Sequence, residues 1–239
     1  MNGGVKLKYN RSLWFPVFCI CLLCTFVIPV VAAKEENAIK IENKEEKREY
    51  YNKEGKLRLV LSYQYPEITG QFPGIKKINE TIIKQKEDWF LSHKELIETS
   101  KEEQDVGFRS ADEVTYLITY NENGMVSILE EGYLFTGGAH GMPYRMPNTF
   151  SLETGQPVTL PTLLGVSDMQ IKALVEDAYD KLMKNQKDWY WPEALQVVKE
   201  TKLDKIGYYL TDEGVIFYFD PYILAPYAAG FVEAKVPLP

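Results

Sequence analysis

Residues 13–33 form an uncharged run of 21 residues near the start of a chain of 239 residues. Lys6, Lys8 and Arg11 precede this run. At about 1.5 Å per residue, a helix of this length crosses a hydrocarbon core of about 30 Å. A basic stretch followed by an apolar stretch and then small residues is also the layout of a secretory signal.

The end of the run has the features of a signal-peptidase site. Val31, Ala32 and Ala33 place small residues where the peptidase cuts, and Pro29 breaks the helix just before them. We therefore expect cleavage after Ala33 and an extracytoplasmic location for the remainder, whether secreted, periplasmic or anchored. The alternative is a retained anchor, in which case residues 13–33 provide the only membrane contact.

All three cysteines, Cys19, Cys21 and Cys24, lie inside this run. No small residue precedes any of them, so we do not expect lipidation. The exported part then has no disulfide, no thiol nucleophile and no thiolate metal site, and its stability depends on a packed core. With only two histidines in the chain, His93 and His140, we expect neither a metal site nor a cofactor.

The exported part is strongly acidic. Residues 34–239 carry 24 basic and 34 acidic side chains, a net charge of −10. Such a surface repels phosphate, so nucleic acid and anionic lipid are not expected as partners. A basic protein suits this charge better.

Hydrophobic patterning divides the first half of the exported part into three segments. Residues 34–56 are rich in Lys, Glu and Asn and are interpreted as a solvated linker, with a first strand starting near Ile39 as the alternative. Residues 57–65 alternate between apolar and polar side chains, which predicts a half-buried strand that ends at Pro66. Apolar residues recur at helical spacing in residues 74–103, which predicts an amphipathic helix.

The second half is predicted to begin with a β-hairpin. Residues 114–120 and 125–135 flank the turn Asn121-Glu122-Asn123-Gly124, in which Asn and Gly accept positive φ. The other predicted elements are a short strand ending near Leu152, helices starting near Ser167 and Pro192, a hairpin of residues 206–210 and 215–219, and a last strand at 231–236. The predicted apolar stripe of the helix after Ser167 consists of Ile171, Leu174, Val175, Ala178 and Leu182.

Hairpins together with segregated helices indicate the α+β class. We expect an antiparallel sheet with two to three helices packed on one face. After the signal or anchor segment and the linker, residues 57–110 are expected to form an N-terminal strand–helix subdomain. Residues 111–239 are expected to form a C-terminal α+β domain packed with it.

The most unusual local feature is the run Gly137-Gly138-Ala139-His140-Gly141. Small residues let the backbone bend and approach another group closely, so His140 is a candidate general base or ligand contact. We favour the alternative of a tight strand crossover whose histidine hydrogen-bonds to neighbouring backbone, because no G-x-S-x-G elbow accompanies it. His93 falls on the apolar stripe of a predicted helix, which places it in the core or at its boundary.

Asp220 is the carboxylate most worth testing as an acid–base partner, since it ends an apolar strand next to Pro221. The simpler interpretation is an aspartate that opens a turn before a proline.

Aromatic side chains form the second group of candidates. Trp189 and Trp191 lie between two predicted helices, and Tyr222 and Tyr227 lie in a proline-interrupted loop. Exposed Trp and Tyr anchor protein partners or stack on sugars. The alternative is that they fill the gap between helices and sheet. We favour that alternative for the two tryptophans, and both interpretations stay open for the tyrosines.

Four motifs occur in a fixed order: GGAHG at residues 137–141, FSLETG at 150–155 with Leu160, FYFDPY at 217–222 and APYAAG at 225–230. Together they resemble the exported domain of unknown function of the RsiV-like anti-sigma factor ectodomains and the PdaC-like deacetylases, with the smaller domain that normally precedes it. The resemblance covers residues 57–236, nearly the whole exported chain.

This resemblance implies a compact α+β unit outside the bacterial cytoplasmic membrane. The RsiV-like ectodomain binds lysozyme, and the PdaC-like domain accompanies a peptidoglycan-modifying catalytic domain. Only 12 residues precede the uncharged run, so a cytoplasmic sigma-binding domain is not expected here. No deacetylase module is expected after Pro239 either.

The first hypothesis is therefore a non-enzymatic, exported binding or sensor protein of the cell envelope that recognises lysozyme, another basic protein or peptidoglycan. We expect the contact surface to include Gly137, Gly138, His140, Gly141, Tyr222 and Tyr227. The second hypothesis is a cell-wall-active hydrolase, which requires His140 in a cleft within about 3.2 Å of a carboxylate. The third is a membrane-anchored signalling stub that acts with a separate output protein.

Overall fold

The computed structural model describes residues 39–102, 107–185 and 189–239. The predicted signal or anchor at residues 13–33 and its cleavage position lie outside these ranges. Within them, no helix combines the length and the apolarity needed to cross a bilayer.

Five strands form one mixed sheet with the spatial order β1-β2-β3-β4-β5. Their bounds are β1 Lys40–Tyr51, β2 Leu57–Thr69, β3 Ser110–Glu122, β4 Met125–Phe135 and β5 Met142–Ser151. β2 and β3 are parallel. Parallel strands need a crossover connection, which the helices α1 (Ile75–Ser92) and α2 (Lys94–Glu102) form here. The other neighbouring strands are antiparallel.

Three further strands form a second, antiparallel sheet with the order β6-β7-β8. The elements of this half are α3 Leu160–Leu164, α4 Asp168–Asn185, α5 Ala194–Glu200, β6 Gly207–Thr211, β7 Gly214–Phe219 and β8 Val232–Val236. The α+β class is confirmed. Most strand pairs are antiparallel, as expected. The structure differs in dividing the strands between two sheets and in making the β2–β3 pair parallel.

The helices cover the two sheets separately. α1 and α2 pack on β1 and β2, whereas α4 packs on β8 and against α3 and α5. The sheets meet where β6 packs beside β3, β4 and β5. At that junction the Leu210 amide donates a hydrogen bond of 3.2 Å to the buried Ser127 hydroxyl.

β1 corrects the interpretation of residues 34–56 as a linker. The strand is regular because its charged side chains have fixed partners. Glu46 accepts a 2.5 Å hydrogen bond from Lys86, whose side chain is only 7% exposed. The Arg48 guanidinium lies 3.7 Å from the centre of the Phe90 ring. Long charged side chains can pack their aliphatic stems against the protein while their charged ends find partners. A segment whose composition suggests a solvated linker can therefore form a regular strand.

β2 corrects the prediction that Pro66 ends the strand. The strand continues to Thr69, with Pro66 opposite Asn43 of β1. β3 pairs with β2 only as far as Tyr63. Because the β3 side of β2 is unpaired beyond that point, a residue without an N–H group is tolerated there.

The helix predicted over residues 74–103 is divided at His93. The His93 ring hydrogen-bonds through Nδ1 to the Trp89 carbonyl at 2.7 Å. In a continuous helix that carbonyl would accept from the backbone amide of His93, which instead donates to Phe90 at 3.3 Å. The side chain therefore replaces a helical hydrogen bond, and α2 begins at the next residue.

The predicted stripe of α4 is confirmed in part, because Ile171 and Val175 are buried and Ala178 and Leu182 pack partly buried against the same core. The buried side chains are Ile171, Val175, Tyr179 and Met183. Leu174, predicted as part of the stripe, is 42% exposed. Tyr179 sets the orientation, since its hydroxyl donates to the carbonyls of Phe217 at 3.0 Å and Val232 at 2.9 Å.

Both predicted hairpins are confirmed. Asn123 and Gly124 turn β3 into β4 with φ values of 51° and 71°. Thr211 pairs with Gly214 at the turn between β6 and β7.

A carboxyl group lies in the core of the five-stranded sheet. Glu130 of β4 is 1% exposed, and neither carboxyl oxygen makes a hydrogen bond within the described residues. Burial raises the pKa of Glu130 to about 7, although the nearby Tyr63 hydroxyl offsets part of the rise. The folded protein therefore favours the neutral acid, and ionisation of Glu130 opposes folding.

We expect Glu130→Gln to stabilise the protein at high pH. The folded pKa of about 7 exceeds the ordinary value of 4.5, so the wild type loses stability as pH rises from about 4.5 to 7. At about 1.4 kcal/mol per pKa unit, the variant should gain about 3 kcal/mol above pH 8 and almost nothing at pH 4. Urea unfolding at several pH values measures this difference. Glu122→Gln, at an exposed position of the same strand pair, is the control. A gain of equal size at pH 4 would contradict the explanation.

Candidate functional site

The GGAHG motif forms the loop between β4 and β5. Gly137 and Gly138 have φ values of 106° and 92°, which side chains rarely adopt. At Gly137 a Cβ atom would also lie 2.4 Å from the Phe108 ring. Because β4 and β5 are antiparallel neighbours, the motif is a hairpin loop and not the expected strand crossover. The expected hydrogen bond of His140 to neighbouring backbone is present.

His140 lies on the exposed side of this loop. Its Nδ1 is 2.8 Å from the Gly141 carbonyl, and its Nε2 is 3.3 Å from the Tyr222 hydroxyl. A neutral ring with its hydrogen on Nδ1 satisfies both contacts, because the carbonyl only accepts and the hydroxyl can donate. The ring also stacks on Tyr227, with centroids 3.8 Å apart and planes 20° apart.

Gly141 connects three of the surrounding side chains through its backbone. Its amide donates to the Tyr133 hydroxyl at 2.7 Å, and its carbonyl accepts from the Tyr227 hydroxyl at 2.9 Å as well as from His140. A Cβ atom at this position would lie 2.5 Å from the Leu134 carbonyl oxygen. Only glycine fits here without a backbone shift.

These contacts assemble an exposed surface that we call the aromatic patch: Tyr133, His140, Tyr222 and Tyr227. Tyr133 and Tyr222 are 43% and 48% exposed. The ring centres of Tyr222 and Tyr227 are 5.5 Å apart. Rings that are fixed by hydrogen bonds but open on one face are suited to stack on a sugar or to anchor a protein partner.

Trp191 supports the loop that carries Tyr222. Its indole Nε1 donates to the Tyr222 carbonyl at 3.3 Å, and its amide donates to the Leu224 carbonyl at 2.9 Å. Trp191 and Trp189 are 39% and 61% exposed. The expectation that they fill a gap between helices and sheet is therefore wrong.

The structure brings the predicted site residues together. His140, Gly141, Tyr222 and Tyr227 are in direct contact, while Gly137 and Gly138 shape the loop that presents the histidine. Tyr133 was not predicted. It lies near the end of β4, and no local pattern indicates that the following loop folds back onto its hydroxyl.

Asp220 has the turn geometry expected of it. Its backbone carbonyl accepts from the Ile223 amide at 3.2 Å, which closes the turn after β7. Among the residues that the structure describes, its carboxylate makes no hydrogen bond or ion pair with another side chain, His140 included. Partial burial raises the pKa of Asp220, and the Arg145 charge offsets part of that rise.

His93 lies between α1 and α2, at the boundary of the core as predicted, and its side chain is 11% exposed. It pairs through Nε2 with Asp112 at 2.8 Å, a partner that was not predicted. Burial acts to lower the pKa of His93, but the hydrogen bonds to Asp112 and to the Trp89 carbonyl outweigh it and raise the pKa. Asp112 also accepts from Tyr144, which accepts from the Trp89 indole. The network is buried in the core and connects α1, β3 and β5.

Within the described part of the chain, no group of three or more His, Cys, Asp or Glu side chains is arranged to hold a metal ion.

Fold and patch define the class: a two-sheet α+β domain in which two loops present aromatic side chains at the surface. The family model of Deacetylase PdaC matches residues 21–143, and that of a protein of unknown function, DUF3298, matches residues 166–238. The first match spans 123 of 239 residues, just over half. The chain therefore belongs to the PdaC family, and its C-terminal part matches the DUF3298 model. The two matches confirm the resemblance seen in the motifs.

Two solved structures share the fold. One is a member of the DUF3298 family from Bacteroides fragilis, with a TM-score of 0.56, 16% identity, and coverage of 84% of this chain and 91% of that chain. The other is a DUF3298 family protein from Pseudomonas aeruginosa, with a TM-score of 0.62, 18% identity, and coverage of 84% and 92%. A comparison with curated proteins finds no match.

We expect Gly141→Ala to destabilise the fold by about 2 kcal/mol or more, because the new Cβ would overlap the Leu134 carbonyl. Urea unfolding followed by circular dichroism measures the loss.

Gly138→Ala is the matched control for Gly141→Ala. A Cβ there meets nothing within 4 Å, so only the positive φ adds a cost, about 1 kcal/mol. A loss at Gly141 no larger than that at Gly138 would contradict the proposed clash.

Proposed function

We propose that the protein is an exported, non-enzymatic binding module of the cell envelope and that the aromatic patch is its contact surface. The observation that carries this proposal is the convergence of the 133–141 and 222–227 segments on one exposed surface. His140, Tyr222 and Tyr227 contact one another directly there. Two segments this far apart in sequence meet only in the folded domain.

The patch is fixed before any ligand arrives. Its hydroxyl groups are bonded to the Gly141 backbone or to His140, and its rings are stacked. A surface whose side chains are already ordered loses little conformational entropy on binding. This supports recognition of a partner by shape and by aromatic contact.

A basic protein such as lysozyme is the partner class that we propose. The net charge of −10 on residues 34–239 favours a cationic partner. Membership of the PdaC family, together with the DUF3298 match, supports a role at the cell envelope. Peptidoglycan is the alternative ligand, because the same rings are suited to stack on sugars.

The hydrolase hypothesis requires a carboxylate next to His140, and the described residues do not supply one. The ring nitrogens contact a carbonyl and a hydroxyl. Within the described residues, no carboxylate lies within hydrogen-bonding distance of them. The proposal therefore assigns His140 to the structure of the patch.

We expect saturable binding of lysozyme by the protein produced from its full sequence, weakened by high salt because both surfaces are charged. Tyr222→Ala should lower the affinity about tenfold or more, since it removes the most exposed tyrosine ring of the patch. Biolayer interferometry with lysozyme, and pull-down on insoluble peptidoglycan in parallel, distinguish the two ligands.

Tyr51→Ala is the control for this experiment, because Tyr51 is equally exposed at 50% but lies on β1 outside the patch. Unchanged binding in Tyr51→Ala and loss in Tyr222→Ala support the patch. Equal losses in both variants, or no binding to either ligand, would refute the proposal.

The proposed location predicts a specific mature terminus. We expect the protein recovered outside the cytoplasm to begin at Lys34, because the signal features place the cut after Ala33. Intact-mass measurement of the exported protein gives the answer. A mass that includes residues 1–33 would instead identify a retained anchor.

A further inference from the structure

A cleft of about 490 Å³ lies at the end of the three-stranded sheet. It adjoins the aromatic patch through consecutive residues, since Ile223 lines the cleft and Tyr222 belongs to the patch. The lining residues that bear on its chemistry are Arg145, Asp204, Gly207, Tyr218, Asp220 and Ile223.

Tyr218 forms a buried wall of the cleft. Its ring lies across β6 at Gly207, where a Cβ atom would be 2.2 Å from the ring. The residue is only 5% exposed, yet its hydroxyl makes no hydrogen bond with any residue in the described ranges. Because the ring lines the cleft, this hydroxyl is available to a group that enters it.

The charges around the cleft are unbalanced. Arg145 is already paired, with Glu131 at 2.8 Å and Glu233 at 2.5 Å. Asp204 and Asp220 have no side-chain partner among the described residues, and Lys205 is the one further cation in the lining. Because Arg145 is already paired with carboxylates outside the lining, Asp204 and Asp220 stand against one remaining cation, Lys205, which favours a cationic ligand over an anionic one.

Asp220 and Tyr218 point to the same side of the chain, because they are two residues apart at the end of an extended strand. Asp220 is exposed, but the surrounding protein partly desolvates its carboxylate, and a cation that enters the cleft offsets this cost. The exposed apolar side chain of Ile223, 46% exposed at the rim, suits the aliphatic stem of a lysine or arginine.

We propose that this cleft receives a single lysine or arginine side chain of a basic protein ligand, with the cationic head between Asp220, Asp204 and the Tyr218 hydroxyl. This inference rests on the proposed function for the identity of the ligand. It adds the chemical group that is recognised next to the aromatic patch.

The test is an NMR titration of the intact protein with Nα-acetyl-lysine-N-methylamide. We expect saturable shifts of the Gly207, Asp220 and Ile223 amides, and none with the uncharged norleucine analogue. Asp220→Asn should weaken the lysine probe about tenfold, the usual effect of losing one charge-assisted hydrogen bond. Tyr218→Phe, which removes only the hydroxyl, should weaken it about threefold.

Asp212→Asn is the matched control, because Asp212 is an exposed carboxylate in the β6–β7 turn and the net charge changes equally. Three results would each overturn the proposal. The first is chemical shift changes with the norleucine analogue that equal those with the lysine probe. The second is a loss of affinity in Asp212→Asn equal to that in Asp220→Asn. The third is stronger binding of N-acetylglycine than of the lysine probe, because its carboxylate would pair with Arg145. Stronger competition by soluble peptidoglycan fragments than by the lysine probe would overturn the assignment to a protein.

The same variants separate this inference from the proposed function. Lysozyme binding that is lost in Tyr222→Ala but unchanged in Asp220→Asn would support the patch and refute the cleft. Saturable binding of the lysine probe without any binding of lysozyme would support the cleft and refute the choice of lysozyme as partner.

Discussion

Asp112 holds the crossover of the five-stranded sheet in place. β2 and β3 are parallel, so the chain must leave the sheet through α1 and α2 and return beside the strand it left. One carboxylate oxygen of Asp112 binds His93 at the helix junction, and the other binds Tyr144 of β5. A single buried side chain thereby connects the crossover to the strand that follows the GGAHG loop. The position of the aromatic patch depends on this strand.

The elements that depend on residues close together in sequence were predicted correctly. Asn123 and Gly124 specify their turn by backbone preference alone, and the isoleucines of α1 specify its buried face by spacing. The charged composition of β1 indicates a linker, because the partners of its charges are not local. Lys86 and Phe90, which contact those charges, lie on a helix about 40 residues away. Pro66 fits in β2 because β3 pairs with β2 only as far as Tyr63, and the local sequence does not show where pairing with a neighbouring strand ends.

The residues of the candidate site also divide into those that local motifs indicate and those that only the folded structure brings together. The residues of the GGAHG motif, Tyr222 and Tyr227 were predicted because they belong to motifs. Tyr133 was not predicted, and gap filling was favoured for the candidate Trp191, because both contribute through hydrogen bonds to backbone that only the folded loops bring near. The pairing of His93 with Asp112 has the same origin, since only the folded crossover brings the helix junction to β3.

Tyr222 has a φ of 72°, a conformation that costs a side chain about 1 kcal/mol and costs glycine almost nothing. The strain lies at the residue that joins the aromatic patch to the cleft, and the Trp191 indole holds it through the Tyr222 carbonyl. Stability and recognition therefore make opposite demands on this position. A glycine would relax the loop and leave a gap in the patch, whereas the tyrosine keeps the patch complete in a slightly less stable fold.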